Sequence, residues 1–453
     1  MLKPTIFREY DIRGIADTEL LDDGIEQLGR AIGSYLQRRS GKSINLGRDC
    51  RLSSTRLRNA LVKGLVASGC DVTDIGTVPT PLLYYSVFHL KATGAVMITG
   101  SHNPPEFNGF KVMAGPSTIY GAQIQEVREI LEKMDFIEGQ GSLRTEDVSG
   151  SYIDQVAANI RLSRRVTVVF DAGNGTAGPI MRRLLDRLNC DPVELFFDMD
   201  GKFPNHHPDP TVEKNLAHLK ATVAAQKAEL GIAFDGDADR IGAIDELGNV
   251  IWGDQLMLIY AREILTRKPG STFIGEVKCS QVMYDELKRL GGNPIMWRTG
   301  HSLIKAKMKE AHAELAGEMS GHIFFADRYY GFDDALYAAC RLLEIVADSG
   351  KPLSHQLAGL PKMVSTPEIR VDCPDELKFG VVNRVTEHFK KVRDVVDVDG
   401  VRVLFEQGWG LVRASNTQPV LVLRFEAANG ALLAQYQREV ETVLDEAKAA
   451  SGV

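Results

Sequence analysis

The chain has 453 residues, 44% hydrophobic and 25% charged, the balance of a soluble globular protein with room for three or four domains. Its net charge of -7 gives no electrostatic basis for nucleic acid or an anionic membrane as partner, while leaving room for a locally positive cleft. Six scattered cysteines without a CxxC pair, an N-terminus without an apolar leader, and no apolar run of membrane-spanning length predict reduced thiols in a cytoplasmic chain.

Ile6 to Gly14 mixes aromatic and charged residues and ends in Arg13-Gly14. Leu20 to Arg39 then has helical periodicity, with Ile25, Leu28, Ile32, Tyr35 and Leu36 on one face. A unit follows that recurs. Ile44 to Leu46 is a short strand, Gly47 to Ser53 a polar loop, Thr55 to Ala67 a helix capped by Gly69, and Val72 to Ile75 the next strand. The same plan runs through Val166 to Phe170, loop Asp171 to Thr176, helix Pro179 to Leu188 and Val193 to Phe197. It returns at Thr272 to Ile274, loop Glu276 to Ser280, helix Gln281 to Leu290 and Pro294 to Trp297. The helix ends are alike: ASGCDV, RLNCDPV and RLGGNPI. Strand, loop, helix, strand is the parallel crossover unit, so three copies predict three α/β domains of one design.

Gly139 to Gly150 reads as a first linker, Glu246-Leu247-Gly248-Asn249 as a second boundary, and Lys351 to Pro367 as a third. Beyond it come short strands at Ile369 to Val371, Val401 to Phe405, Trp409 to Ala414 and Val420 to Phe425. Two helices, Glu376 to Val392 and Ala431 to Ala449, accompany them, which predicts a smaller α+β domain with an antiparallel sheet.

Four motifs carry candidate chemistry. The apolar run Ala95 to Ile98 reads as a buried strand that stops at Gly100, and Pro104 and Pro105 forbid helix or strand beyond it. Ser101 therefore sits on a sharp loop at the carboxyl end of a strand, where open α/β sheets place their ligands. A hydroxyl beside His102, with Lys111 on the next strand, suits phosphate or acyl chemistry; Ser101 and Asn103 equally suit a plain turn. Asp235-Gly236-Asp237-Ala238-Asp239-Arg240 follows the strand Leu230 to Phe234. Its three carboxylates can turn oxygens onto one hard cation such as Mg²⁺, and without a cation they would repel one another. An EF-hand is disfavoured, because Arg240 and Ile241 stand where its glycine turn belongs.

In Gly317-Glu318-Met319-Ser320-Gly321-His322, Glu318 and Ser320 point to one side of an extended loop and can grip vicinal sugar hydroxyls, or simply form a polar turn. Arg413-Ala414-Ser415-Asn416-Thr417-Gln418-Pro419 offers a guanidinium, two hydroxyls and loop amides to a phosphate; a surface turn is the alternative. Arg13, Lys111, Arg240, Lys278, His301 and, with less support, Arg298 are further basic candidates, His301 among those expected on loops that follow strands. DAGNGTAG lacks the features of a P-loop or dinucleotide fingerprint, and the prolines of FPNHHPDP make its paired histidines a rigid connection rather than a metal site.

Together TGSHNPP, DGDADR, GEMSGH and RASNTQP, in that order along nearly the whole chain, resemble the α-D-phosphohexomutase superfamily, in its bacterial phosphomannomutase/phosphoglucomutase branch. The resemblance implies three similar mixed-sheet α/β domains plus a C-terminal α+β domain around a central cleft, with boundaries expected at 1–146, 147–249, 250–361 and 362–453. It implies reversible transfer of a phosphoryl group between the 1- and 6-positions of mannose or glucose phosphates. Ser101 would carry the phosphoryl group. Asp235, Asp237 and Asp239 would hold Mg²⁺, with phosphoserine completing the site. His102, Lys111, Arg240, His301 and Arg13 would surround the transfer. Tyr10, Lys278, Glu318, Ser320 and His322 would bind substrate, and Arg413, Ser415, Asn416 and Thr417 would clamp the phosphate that is not reacting. A hexose 1,6-bisphosphate, of glucose or mannose, would serve as intermediate and activator. The expected partner is a phosphosugar alone, on a monomeric or dimeric protein, with no nucleic acid or membrane. Ala238 departs from the glycine of many members. A phosphoglucosamine mutase, a metal-dependent phosphatase and a non-catalytic sensor are the rival readings, and GEMSGH argues against the first.

Overall fold

In the computed structural model, which describes residues 2–452, each repeated unit builds the parallel centre of its own sheet. In the first sheet Ser43–Arg48 lies between Asp71–Thr77 and Gly94–Ile98, all parallel, and Phe107–Ala114 pairs antiparallel with Gly94–Ile98. Ile12–Ile15 adds antiparallel to the outer edge of Phe107–Ala114. In the second sheet Thr167–Asp171 lies between Asp191–Leu195 and Leu230–Phe234, again parallel, with Ile241–Asp245 antiparallel beyond. In the third, Thr272–Glu276 lies between Asn293–Trp297 and Leu315–Gly317, with Ile323–Phe325 antiparallel beyond. Three sheets thus share strand order and direction. The inner strands Gly94–Ile98 and Leu230–Phe234 are buried along their whole length, as continuous apolar runs require.

Two segments behave differently from the sequence reading. The stretch expected as a linker, Gly139 to Gly150, supplies the strand Leu143–Thr145, which pairs parallel with Asp71–Thr77, and begins the helix Ser149–Asn159. Val250–Ile251, just past the expected second boundary, pairs with Ile241–Asp245 and belongs to the second sheet. The fourth sheet is antiparallel throughout, built on Val401–Phe405, Gly408–Ala414 and Val420–Ala427 and covered by the helices Lys378–Phe389 and Gly430–Ala449.

One continuous apolar core joins the first three domains, running through Tyr84, Tyr152, Phe170, Tyr260, Phe332 and Leu342. The fourth domain has its own core around Val385, Val412, Leu423, Phe425 and Val440. It meets the third domain through Trp409 and Leu411 packed on Val277, and through the buried Arg402, which donates to the carbonyls of Val277 at 2.7 Å and Cys279 at 2.8 Å. All six cysteines are free thiols, and among the described residues no helix is long and apolar enough to cross a membrane.

Candidate active site

The first three motifs occupy the same place in their three domains: the turn between the last parallel strand and its antiparallel neighbour. TGSHNPP joins Gly94–Ile98 to Phe107–Ala114, DGDADR joins Leu230–Phe234 to Ile241–Asp245, and GEMSGH joins Leu315–Gly317 to Ile323–Phe325. In each domain a buried acid lies at the end of the central strand; in the first and third it holds the motif loop, and in the second it holds the neighbouring loop and His206. Asp49 accepts from Gly100 N at 2.9 Å and Ser54 Oγ at 2.5 Å. Asp171 accepts from Gly173 N at 2.8 Å and lies 2.9 Å from His206 Nε2. Glu276 accepts from Met319 N at 3.0 Å and from the Thr299 hydroxyl.

Ser101 has a φ of 49°, in the left-handed region that a residue with a Cβ adopts at a cost of about 1 kcal/mol. Its Oγ donates to Asp235 Oδ2 of the second domain at 2.9 Å and lies 3.1 Å from His102 Nδ1. The approach needs Gly236, because a Cβ there would sit 2.6 Å from the Ser101 carbonyl. Burial, reinforced by the Arg240 and Arg13 guanidiniums, pushes His102 well below the usual imidazole range, so its ring is neutral.

Asp235, Asp237 and Asp239 are fully buried, and one oxygen from each falls within 4.8 Å of the others. Burial and the two neighbouring aspartates push Asp235 far above the usual carboxylate range. Asp237 stays low despite its burial, because Lys111 and Thr80 bind its Oδ2 at 2.9 and 2.5 Å. Lys111 Nζ also reaches Asp239 Oδ2; burial works against its charge, yet the two aspartates hold it well above the usual lysine range. The Oδ1 atoms of Asp237 and Asp239 are buried without a hydrogen-bond partner. An all-carboxylate donor set with two orphaned oxygens fits a hard divalent cation such as Mg²⁺. Ala238, the departure noted in this motif, has a φ of 58°, where glycine would relieve the same strain that Ser101 bears.

His301 opens the helix His301–Ala311 instead of sitting on a loop, and His322 stacks on it at 5.6 Å. Burial first, and Lys305 second, push His301 well below the usual imidazole range. His322 Nε2 accepts from Arg240 Nε at 3.0 Å, and its Nδ1 lies 3.2 Å from Asp333 Oδ2. Glu318 accepts from Gly300 N at 2.8 Å, and burial raises its carboxyl above the usual range. Ser320 is half-buried on the same turn.

From the fourth domain, Arg413 Nε donates to Asp399 Oδ2 at 2.8 Å, and Asp399 also accepts from Thr299 N of the third domain at 3.0 Å. Ser415 Oγ accepts from the amides of Thr417 and Gln418, at 3.3 and 3.2 Å, which closes the RASNTQP turn. Asn416 Nδ2 donates to the Tyr10 hydroxyl at 2.6 Å, and that hydroxyl donates to Thr299 O at 2.7 Å, so first, third and fourth domains meet at one side chain. Lys278 lies 3.4 Å from Glu276 and 3.2 Å from Glu368. Arg13 projects from the edge strand Ile12–Ile15 and pairs with Asp11. Arg298 is exposed.

The sequence reading passed over Asp49, Arg51, Thr80, Glu276, Asp333 and Asp399. For Asp49 and Glu276 the repeat itself held the signal, since both acids fall at one position of the recurring unit. The paired histidines split between two structural tasks: His206 faces Asp171, and His207 Nε2 lies 2.5 Å from the His102 carbonyl.

Models of the four phosphoglucomutase/phosphomannomutase domains match in order: α/β/α domain I at residues 4–138, domain II at 150–248, domain III at 252–364 and the C-terminal domain at 368–443. A phosphomannomutase/phosphoglucomutase of Pseudomonas aeruginosa is 45% identical over 427 residues, 94% of this chain and 92% of that protein. A phosphoglucomutase of Neisseria gonorrhoeae is 43% identical over 445 residues, 97% of this chain and 96% of that protein. The crystal structure of a phosphoglucomutase/phosphomannomutase family protein from Burkholderia thailandensis superposes with a TM-score of 0.94 at 43% identity, covering 100% of this chain and 99% of that one. With all four domain models matched in order and relatives this similar over nearly their full length, the chain belongs to the phosphoglucomutase/phosphomannomutase family.

Proposed function

We propose that the chain interconverts hexose 1-phosphate and hexose 6-phosphate, of mannose, glucose or both, through phosphoserine at Ser101 and a hexose 1,6-bisphosphate. The observation behind this reading is the meeting of Ser101 Oγ with Asp235 Oδ2 at 2.9 Å across a domain boundary, in a buried carboxylate cluster that has two orphaned oxygens.

The free hydroxyl oxygen of the bound sugar phosphate attacks the phosphorus on Ser101. The new P–O bond forms as the P–Oγ bond breaks, the hydroxyl proton leaves to a base, and a proton reaches the serine oxygen. His301, kept neutral by burial, is the proton acceptor, and Lys111, kept charged by Asp237 and Asp239, neutralises and donates at Oγ. Asp235, Asp237 and Asp239 would hold Mg²⁺, which when bound supplies positive charge to the transferring group. Glu318 and Ser320 bind the sugar hydroxyls. Arg413, Ser415, Asn416 and Thr417 hold the distal phosphate, and Tyr10, Arg13, His102, Arg240, Lys278 and His322 line the remaining walls. After the bisphosphate turns over, its other phosphate stands at Ser101 and the reverse transfer restores phosphoserine.

The test is incubation with Mg²⁺, a trace of glucose 1,6-bisphosphate, and glucose 1-phosphate or mannose 1-phosphate. Formation of 6-phosphate without free phosphate is expected, and Ser101→Ala lowers it by at least ~10³-fold with the fold retained. Phosphate release in step with substrate loss makes the chain a phosphatase. Near-normal turnover by Ser101→Ala refutes the phosphoserine.

A further inference from the structure

We infer that Arg51 is the positioning residue that holds the Ser101 loop in its strained, transfer-ready conformation. Arg51 lies on the loop after Ser43–Arg48 and is 2% exposed. Its Nη2 donates to the carbonyls of Ser101 at 2.8 Å and Asn103 at 2.5 Å. Its Nη1 donates to the carbonyls of Phe107 at 3.0 Å and of Pro104. One guanidinium thus gathers four carbonyls from seven consecutive residues, a number that matches the forked donor set of arginine and exceeds what an ammonium can satisfy in one plane.

The guanidinium is itself fixed from three sides. Asp49 Oδ2 lies 3.2 Å from its Nε and accepts from Gly100 N, so one carboxylate sets both the arginine and the start of the loop. The Phe203 ring of the second domain stacks on it at 5.3 Å, and Gly201 packs its backbone against Cys50 and Arg51. Gly100 leaves the space that the guanidinium fills, since a Cβ there would collide with it. The carbonyls turned toward Arg51 leave Ser101 at φ 49° with its Oγ on Asp235. Without Arg51 the left-handed strain loses the donor that gathers the loop, the serine relaxes, and the buried Ser101 carbonyl and three part-buried ones lose the guanidinium.

This inference rests on Ser101 as the phosphoryl carrier. The experiment compares Arg51→Lys, Arg51→Ala and Ser101→Ala in the full chain, for steady-state turnover and for phosphorylation of Ser101 by glucose 1,6-bisphosphate. Arg51→Lys keeps the charge but loses the fork. Its kcat and its Ser101 phosphorylation rate are expected to fall about 10²-fold, the scale of a 1 Å misplacement, with KM changed less than ~3-fold. Added guanidinium ion should restore part of the activity of Arg51→Ala, an effect that general destabilisation does not produce. If Arg51→Lys does not fold, Phe203→Leu, which removes the ring over the guanidinium without touching the serine loop, must show a loss in kcat with KM kept. A folded Arg51→Lys with wild-type kcat overturns the inference, as does a loss confined to KM or an Arg51→Ala that guanidinium does not rescue. Full activity in Ser101→Ala overturns the phosphoserine reading instead.

Discussion

Lys111→Met isolates the electrostatics of the buried cluster. Lys111 Nζ bonds the Oδ2 atoms of Asp237 and Asp239, and both aspartates are fully buried. Removing one partner of a buried pair costs about 3–5 kcal/mol, because the charges left behind have no water to turn to. The metal-free variant should therefore melt well below the wild type, by about 6–10 °C at roughly 2 °C per kcal/mol. A divalent cation acts in the opposite direction. It is repelled by the Lys111 ammonium, and that repulsion outweighs the ordering which two hydrogen bonds of ~1 kcal/mol each impose on the carboxylates. Mg²⁺ is thus expected to bind Lys111→Met at least ~10-fold more tightly than wild type, equivalent to ~1.4 kcal/mol, and to recover part of the lost stability. The assay is thermal unfolding of both proteins in EDTA and across a Mg²⁺ series, with turnover measured in parallel. Turnover should fall by about 10²-fold or more, since the proposed proton donor is gone. Equal Mg²⁺-induced shifts in the two proteins would refute the reasoning, because Lys111 would then not be the internal counter-ion of the cation site.

Two further predictions test the fourth-domain loop and a buried core carboxyl. Arg413→Lys should raise KM for glucose 1-phosphate by about tenfold or more with kcat little changed, because the forked contact proposed for Arg413 is to the phosphate that does not react; a loss in kcat at constant KM would contradict this. Asp334 is buried, accepts from the Tyr152 hydroxyl, the Tyr329 hydroxyl and Tyr337 N, and has no cationic partner among its hydrogen bonds. Burial raises its carboxyl from 3.8 to about 6 in the folded state, so its ionisation costs about 3 kcal/mol of stability at neutral pH, a cost removed as pH falls through 6 toward 3.8. Asp334→Asn, which keeps a cap for the helix Ala335–Ser349, should gain stability over wild type at pH 7.5 and lose that advantage near pH 4.5; a difference independent of pH would show that Asp334 is not buried as a charge.

The fold was legible where local physics decided it. The strand-loop-helix-strand unit is set by apolar runs, turn residues and helix ends, and all three copies became sheets with the same strand order. Leu143–Thr145 escaped notice because all three residues are exposed, so no alternation of burial marks the strand, and only its pairing with Asp71–Thr77 makes it one. His301 is expected on a loop following a strand, whereas it starts a helix behind Gly300, whose φ of 130° the sequence does not disclose. Arg51 and Asp399 gave no signal at all. Each lies in a polar loop of ordinary composition, and each matters through a partner far away in sequence: Arg51 through carbonyls about fifty residues on, Asp399 through Thr299 a hundred residues back.

The deeper regularity is that three motifs with different chemistry stand on one structural position. Ser101, the carboxylate cluster and Glu318 all occupy the turn after the last parallel strand, and in the first and third domains a buried acid holds that turn from the strand beside it. That position is where the carboxyl ends of the strands leave backbone amides unpaired, so any side chain placed there faces a polar, accessible edge. What turns three separate edges into one site is the shared apolar core, which fixes the domains against one another closely enough for Ser101 and Asp235 to meet at 2.9 Å. The fourth domain is outside that core and is held by Arg402, Trp409 and the contacts at Tyr10 and Asp399. A reaction in which the bisphosphate must turn around needs three fixed walls and one that can yield. The division of the core follows that requirement: Ser101 and the carboxylates lie in the three domains that share one core, and the proposed distal-phosphate clamp lies in the domain with a core of its own.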